Sequence, residues 1–484
     1  MEKKINYLYY PIFAILAIWS IWSLPYSPLA WFDEVYYASI THSLITGNGL
    51  SLELYNNEPM VIYGPIYFLL TGAVTKLFGF GIFQFRIVNL FFAFVTVIIF
   101  GKVLDKLNVK KWLNYFLQIM LLLDASFIAN SHSGRMEFVA LFFIMLAYLL
   151  YLNNEMKPIY RAVWISILLT LSVLTSTRAV IICIPIAIAQ LIKLIKTQSW
   201  SVIVPYVISP ILLYGIWIYI AFGSIGGFFS YFTQQQTGDI VQGSLISTYL
   251  KGNWLIRKYH YPMIIASLFS VGYLIKKKKA YEILLPGITL LFYYILVFDT
   301  GHYGVYVLPF YIIIIGVGVT VLCDNQNKIM GLIYKSLLII CFLVNVSIFA
   351  VKVFFVVTEE EQRNPQIAVK LFKENIPSGS KVAGDYVFYY AAIENGSQFK
   401  SINRGGVEDE VVLRDILDNY QPDYIVLGMN NNKTKKIPLF QKSGFVEQTC
   451  IECKKKNNVL SKLLFGEKFN DNMTTTYEGC IYME

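Results

Sequence analysis

A chain of 484 residues that is 56% hydrophobic and only 15% charged, with a mean hydropathy of +0.54, cannot clothe a surface facing water, which takes roughly 25% charged residues. Lipid must be the solvent for most of it, which excludes a soluble enzyme, a disordered protein and a reader of nucleic acid. The net charge of +9 is concentrated in residues 1–357, where a basic excess among apolar runs marks membrane topology; residues 358–484 are slightly acidic.

The first apolar run, about 5–26, continues into Pro25 and Pro28 without a small-residue cleavage pattern and reads as a retained anchor. Trp31-Phe32-Asp33-Glu34 follows at once, setting two aromatic rings and two acids where lipid meets water. From Tyr36 to Leu50 the spacing of Tyr37, Ile40 and Leu44 predicts an amphipathic helix lying on the membrane surface. Residues 64–80 are apolar but bracketed by Gly and Pro, with Lys76 inside, and predict a second interfacial helix, not a span.

Further spans are expected at about 81–103, 113–130, 136–152, 160–176, 179–195, 202–223, 261–275, 281–298, 304–322 and 333–357, eleven in all with the first. Lys3, Lys4, Lys102, Lys106, Lys110, Lys111, Lys157, Arg161, Lys193, Lys196, Lys276 to Lys279, Lys328 and Lys335 then share one side. That side, with the N-terminus, is predicted to be cytoplasmic. An odd number of spans puts residues 358–484 outside the cytoplasm. Their pattern changes to a helix ending at Pro377, a strand-like KVAGDYVFYYAA, a helix-like VEDEVVLRDILDNY and a strand DYIVLGM, the signs of a small α/β domain. Two domains are expected, 1–357 and 358–484.

Four places put ionisable groups at the outer face. They are Asp33-Glu34; the Arg135-Met-Glu137 segment opening the fourth span; Arg178, caught between two apolar runs; and His302-Tyr303 before the tenth span. Each also fits a plainer role: an acidic loop, a mutual Arg135–Glu137 pair, a snorkelling arginine, a helix-capping histidine. Asp124, inside the third span, fits best as the partner of an Arg or Lys. In the tail, Cys450, Cys453 and Cys480 lack a fourth zinc ligand and suggest a disulfide with one spare thiol.

The order of these features resembles that of the GT-C glycosyltransferases, and most nearly their protein O-mannosyltransferase and lipid A aminoarabinose transferase branch. An Asp-Glu pair after span one, an amphipathic helix, Pro65 opening a second, and Phe78-Gly-Phe-Gly-Ile-Phe-Gln-Phe-Arg86 leading into the next span carry the likeness, well to about residue 200 and loosely beyond. The resemblance implies a polytopic helical membrane enzyme of the plasma membrane with interfacial helices in its first external loop. It would take a sugar from polyprenyl phosphate or dolichyl phosphate to a lipid, glycan or protein acceptor. Asp33 would be the catalytic base, Glu34 would orient the acceptor or a partner group, and Glu137 would fall at a position where relatives carry an acid. Arg178, His302, Tyr303, Arg86 and Arg135 would face the donor phosphate. A divalent ion, Mg²⁺ or Mn²⁺, on Asp33 and Glu137 is an arrangement found in some members and not others. A transporter or flippase, or a non-catalytic subunit of envelope polysaccharide assembly, is the alternative.

Overall fold

The computed structural model describes residues 2–55, 58–61, 63–239, 260–296, 302–324, 328–402, 414–428, 444–451, 477 and 479–483. Helix α1 (Glu2–Ser23) leads into α2 (Phe32–Ile45), a two-stranded β1–β2 ribbon (Ser51–Leu52, Glu58–Pro59), α3 (Ile66–Phe78) and the long α4 (Ile82–Lys106). Then come α5 (Lys111–Leu122), α6 (Ala125–Ser131), α7 (Glu137–Leu152), α8 (Pro158–Thr175), α9 (Val180–Lys196), α10 (Trp200–Phe222) and α11 (Ile225–Asp239). The bundle closes with α12 (Tyr261–Lys276), α13 (Leu284–Leu296), α14 (Leu308–Asp324) and α15 (Lys328–Thr358).

Among the described residues six helices are long and apolar enough to cross a membrane. The bent α5–α6 pair and the shorter apolar helices at Tyr7–Ser23, Glu137–Leu152, Tyr261–Lys276 and Ala280–Leu296 correspond to the other five expected spans. The protein is thus a multi-pass membrane protein. Helix α3, with 13 residues, is only about 20 Å long, too short to cross; it leaves Leu69, Leu77 and Phe78 exposed, as an interfacial helix should.

Two expectations about local structure change. The third span is not straight but bends by 60° between α5 and α6. Asp124 causes the break: its Oδ1 accepts from the backbone N–H groups of Ser126 (2.9 Å) and Phe127 (3.1 Å), starting a new helix where the old one stops. Its other oxygen accepts from or pairs with His260 Nε2 at 2.8 Å, so the partner is a histidine at the start of α12 and not an Arg or Lys. Helix α2, for its part, is more enclosed by protein than its pattern predicts. Val35, Tyr37, Ala38, Ser39, Ile40 and Thr41 are all buried, because α3 covers one side and the tail another.

In the tail, α16 (Pro365–Asn375) begins at an Asn364 cap whose side chain accepts from Gln366 N–H. A five-stranded sheet follows, built from β3 (Lys381–Gly384), β4 (Gln398–Ser401), β5 (Tyr424–Gly428), β6 (Val446–Ile451) and β7 (Gly479–Met483) in the order β4-β3-β5-β7-β6. The first three pair in parallel; β7 pairs antiparallel with both β5 and β6. The strand expected to run through VFYYAA stops at Gly384, and Tyr389–Glu394 is a helix, α17. The turn is enforced where Asp385 N–H bonds Val426 O and its carboxylate accepts from Gly428 N–H. Residues 407–413 of the segment expected to be helical at 407–420 lie outside the described residues; the rest is helical, ending in a wide turn at Ile416–Tyr420.

The tail is cemented to the segment between α1 and α4. Leu29, Val35, Tyr67 and Phe85 share one apolar cluster with Phe372, Val382, Tyr389 and Ile481. Phe80 stacks on Tyr390 (5.8 Å between centroids), Ser401 N–H bonds Leu54 O at 3.1 Å, and Lys400 Nζ bonds Glu53 O at 2.8 Å.

Candidate active site

The expected charged residues converge at one end of the bundle. Asp33 and Glu34 sit in the first turn of α2, Arg86 in the first turns of α4, Arg135 in the α6–α7 connection and Glu137 at the start of α7. Arg178 lies in the short turn Thr177–Ala179 joining α8 to α9, and Tyr303 in the turn His302–Tyr306 leading into α14. Helices α4, α7, α9 and α14 therefore all present N-terminal ends there, where partial positive charge accumulates and anions are favoured.

Glu34 and Arg86 form a closed unit. Arg86 Nε and Nη2 donate to the two Glu34 oxygens at 2.6 and 2.7 Å, and Nη1 donates to the carbonyls of Leu24 (2.7 Å) and Pro28 (2.8 Å). Glu34 accepts in addition from Gly134 N–H at 3.0 Å, and both side chains are 0% exposed. Arg86 was expected on the donor phosphate; with its donors committed to Glu34 and two carbonyls it is a strut between the α1–α2 turn and α4. Glu34, expected to orient the acceptor or a partner group, has both oxygens engaged by Arg86 and by backbone N–H groups. Position 134 must be glycine, since a Cβ there would lie 2.2 Å from the Phe85 ring. One turn beyond Arg86, Asn89 donates to Asn130 O (2.6 Å) and Ser133 O (2.9 Å), so α4 holds the N-terminal side of the loop that carries Arg135.

That loop delivers Arg135 between two acids. Its Nη1 donates to Asp33 Oδ2 in a very short contact, while Nε and Nη2 donate to Glu137 Oε1 at 3.1 and 2.7 Å. Arg135 and Glu137 are buried at 2% and 1% exposure, whereas the Asp33 side chain is 38% exposed. Glu137 Oε2 is buried and has no partner among the described residues. The expected Arg135–Glu137 pair thus exists, with Asp33 added to it.

Tyr303 links this triad to Arg178. Its ring centre lies 5.6 Å from the Arg135 guanidinium carbon and 3.9 Å from that of Arg178, a cation–π arrangement on both counts. Arg178 makes no ion pair among the described residues. It also lines a cavity of about 730 Å³ between α8, α9 and α10, whose walls are apolar: Val173, Ile181, Ile184, Pro210, Ile211 and Phe228 among them. The side chain of His302 lies outside the described residues.

Tyr37 and Tyr63 complete the surroundings, with ring centres 5.4 Å apart. Burial first, then the negative Asp33 near Tyr63 and the neighbouring phenol near Tyr37, holds both above the ordinary phenol range. Both therefore stay neutral hydroxyls able to donate. Sequence reasoning took Tyr37 only as a helix-spacing residue and passed over Tyr63; the density of tyrosines between positions 36 and 67 was the available signal. His260 was missed because it meets Asp124 across 136 residues.

A divalent ion shared by Asp33 and Glu137 does not fit these residues. The guanidinium of Arg135 fills the space between the carboxylates and already supplies a positive charge there. The one cluster of three candidate ligands found among the described residues, Glu447 with Cys450 and Cys480, has its two sulfurs joined as a disulfide across β6 and β7. Cys453 lies outside the described residues.

A polytopic helical bundle with charges gathered at one face and a small sheet packed over it defines a class of membrane protein, and solved structures share its architecture. No protein-family model matches the sequence, and no curated protein matches it. The chain is similar to ArnT from Cupriavidus metallidurans in the apo state, with a TM-score of 0.61 at 11% identity over 99% of this chain and 97% of that one. It is similar to the same protein bound to undecaprenyl phosphate, with a TM-score of 0.59 at 12% identity and the same coverage. It is also similar to the Archaeoglobus fulgidus oligosaccharyltransferase in the apo form, with a TM-score of 0.51 at 11% identity over 90% of this chain and 71% of that one. At these identities the likeness is one of fold: the chain shares the architecture of these membrane proteins over nearly its whole length.

Proposed function

We propose that this protein is an integral-membrane glycosyltransferase that moves a sugar from a polyprenyl-phosphate-type donor to a hydroxyl on an extracytoplasmic lipid, glycan or protein. One observation carries the proposal: a half-exposed carboxylate, Asp33, is fixed by Arg135 at the end of a cation–aromatic row, Arg135–Tyr303–Arg178, whose far member borders an apolar groove. A donor with an isoprenoid tail and a phosphate head matches that polarity. The hydrocarbon would lie among α8, α9 and α10, and the phosphate beside Arg178. The solved structure of similar fold with undecaprenyl phosphate bound is in accord with such a donor.

The chemistry then needs few parts. Asp33 takes the proton of the acceptor hydroxyl as that oxygen bonds to the anomeric carbon. The bond from that carbon to the phosphate oxygen breaks, and polyprenyl phosphate leaves with the electron pair, its charge met by Arg178, Arg135 and the helix N-termini. A single displacement inverts the anomeric carbon. Glu34 and Arg86 position the loop that carries Arg135. Residues 358–484 form the outer domain of this reading, on the side away from the cytoplasm. A disulfide joining β6 and β7 supports that orientation, since such bonds persist in oxidising compartments.

The test is transfer by the purified full-length protein from a radiolabelled polyprenyl-phosphate sugar. Transfer by the wild type that disappears in Asp33→Asn, with inverted product, supports the proposal. Full activity in that variant eliminates Asp33 as the base, and label reaching residue 33 from the cytosolic side of intact cells rules out the topology.

A further inference from the structure

We infer that Arg135 is the resident cation of this site and that the protein takes up no divalent metal between Asp33 and Glu137. The inference rests on the triad being the reaction centre proposed above. Two acids of this kind, 104 positions apart in sequence and facing one another, are the donor set that Mg²⁺ or Mn²⁺ takes when it serves glycosyl transfer, and a single metal would need an oxygen from each at about 2.1 Å. Here the three nitrogens of one guanidinium stand between them. A metal could enter only by expelling that side chain or by sitting against it, positive charge to positive charge.

Expulsion is opposed by the way Arg135 is held. It is 2% exposed. The backbone on its N-terminal side is pinned by Gly134 N–H on Glu34 and by the bonds from Asn89 to the carbonyls of residues 130 and 133. Arg135 N–H itself bonds Ser133 O at 2.8 Å. No methyl group fits at position 134 beside Phe85, so the loop has little room to swing. The charge count points the same way. Asp33 and Glu137 face Arg135 and, across Tyr303, Arg178, so two carboxylates are balanced by two guanidiniums without a further cation. A guanidinium also differs from a metal in what it does: it cannot coordinate water as a Lewis acid and make it a nucleophile, and its planar fork holds Asp33 in a fixed orientation, ready to accept a proton from a hydroxyl.

The experiment is a Mn²⁺ titration of the detergent-purified full-length protein, read by the loss of the free-ion paramagnetic signal and run without any substrate. No Mn²⁺ taken up by wild type, with uptake appearing in Arg135→Ala, is the expected pair of results. Should Arg135→Ala fail to fold, wild type is compared with Asp33→Asn/Glu137→Gln instead, and identical titrations support the inference. Mn²⁺ uptake by wild type that is lost in the double variant overturns it. Because no sugar donor is present, the titration decides the matter whether or not glycosyl transfer is observed. Where transfer is observed, it should show no loss in EDTA; a loss restored by Mn²⁺ would overturn the inference while leaving the transferase reading intact.

Discussion

Two acid–arginine centres lie side by side at one end of the bundle, and they differ in how completely they are satisfied. In Glu34–Arg86 every carboxylate oxygen and guanidinium nitrogen has a partner, and neither side chain touches solvent. In Asp33–Arg135–Glu137 the aspartate is open to solvent at 38% and one glutamate oxygen is buried without a partner among the described residues. A saturated buried pair can only hold structure together, because any new contact must break an old one. An unsaturated one has capacity left for a substrate. Neighbouring residues in sequence, Asp33 and Glu34, are thus given different work by the direction in which one turn of helix points them.

The largest expected effect falls on the open centre. Asp33→Asn should reduce transfer by about 10²–10⁴-fold, the range for removing a general base, while leaving the unfolding temperature close to wild type. A large fall in that temperature would mean that Asp33 belongs with the closed pair. Breaking the closed centre should do the reverse. Arg86→Met strands Glu34 in the interior and should cost about 3–5 kcal/mol of stability, as losing one partner of a buried ion pair does; thermal unfolding in detergent measures it. An unchanged midpoint would show that Glu34 finds another partner or is protonated at no great cost.

Gly134→Ala tests the link between the two centres. Overpacking against Phe85 should cost about 1–3 kcal/mol and reduce turnover as well, since Arg135 is the next residue. Loss of stability with full turnover would show that the triad tolerates movement of its loop. The smallest effect is expected at the edge of the site: Arg178→Ala should raise the donor KM by about tenfold, equivalent to one charge-assisted hydrogen bond, with acceptor KM unchanged. An unaltered donor titration would make Arg178 a lipid anchor stacked on Tyr303.

Much of the architecture was legible because lipid imposes a simple rule. A run of apolar residues near 20 long crosses, whereas the run at 64–80 is shorter, bracketed by Gly and Pro and interrupted by Lys76, so the spans and the short α3 could be read from the sequence. The charged residues were legible for the same reason: an acid or arginine at a membrane face stands out against its surroundings. The helical membrane class and the placing of Asp33, Arg135, Glu137 and Arg178 at span ends were thus available from order and composition, while their gathering in one site was implied by the family resemblance.

What composition could not assign was who pairs with whom. Arg86 and Arg135 look alike in sequence, each an arginine at the mouth of a span, yet one is consumed by Glu34 and two carbonyls and the other stands between two acids. Asp124 meets His260 rather than an arginine or lysine, and α2 is enclosed by protein, because elements far away in the chain arrive to cover them. Hydropathy is a property each segment carries alone, whereas a hydrogen bond needs two groups within about 3 Å, and that distance exists only once the helices have packed.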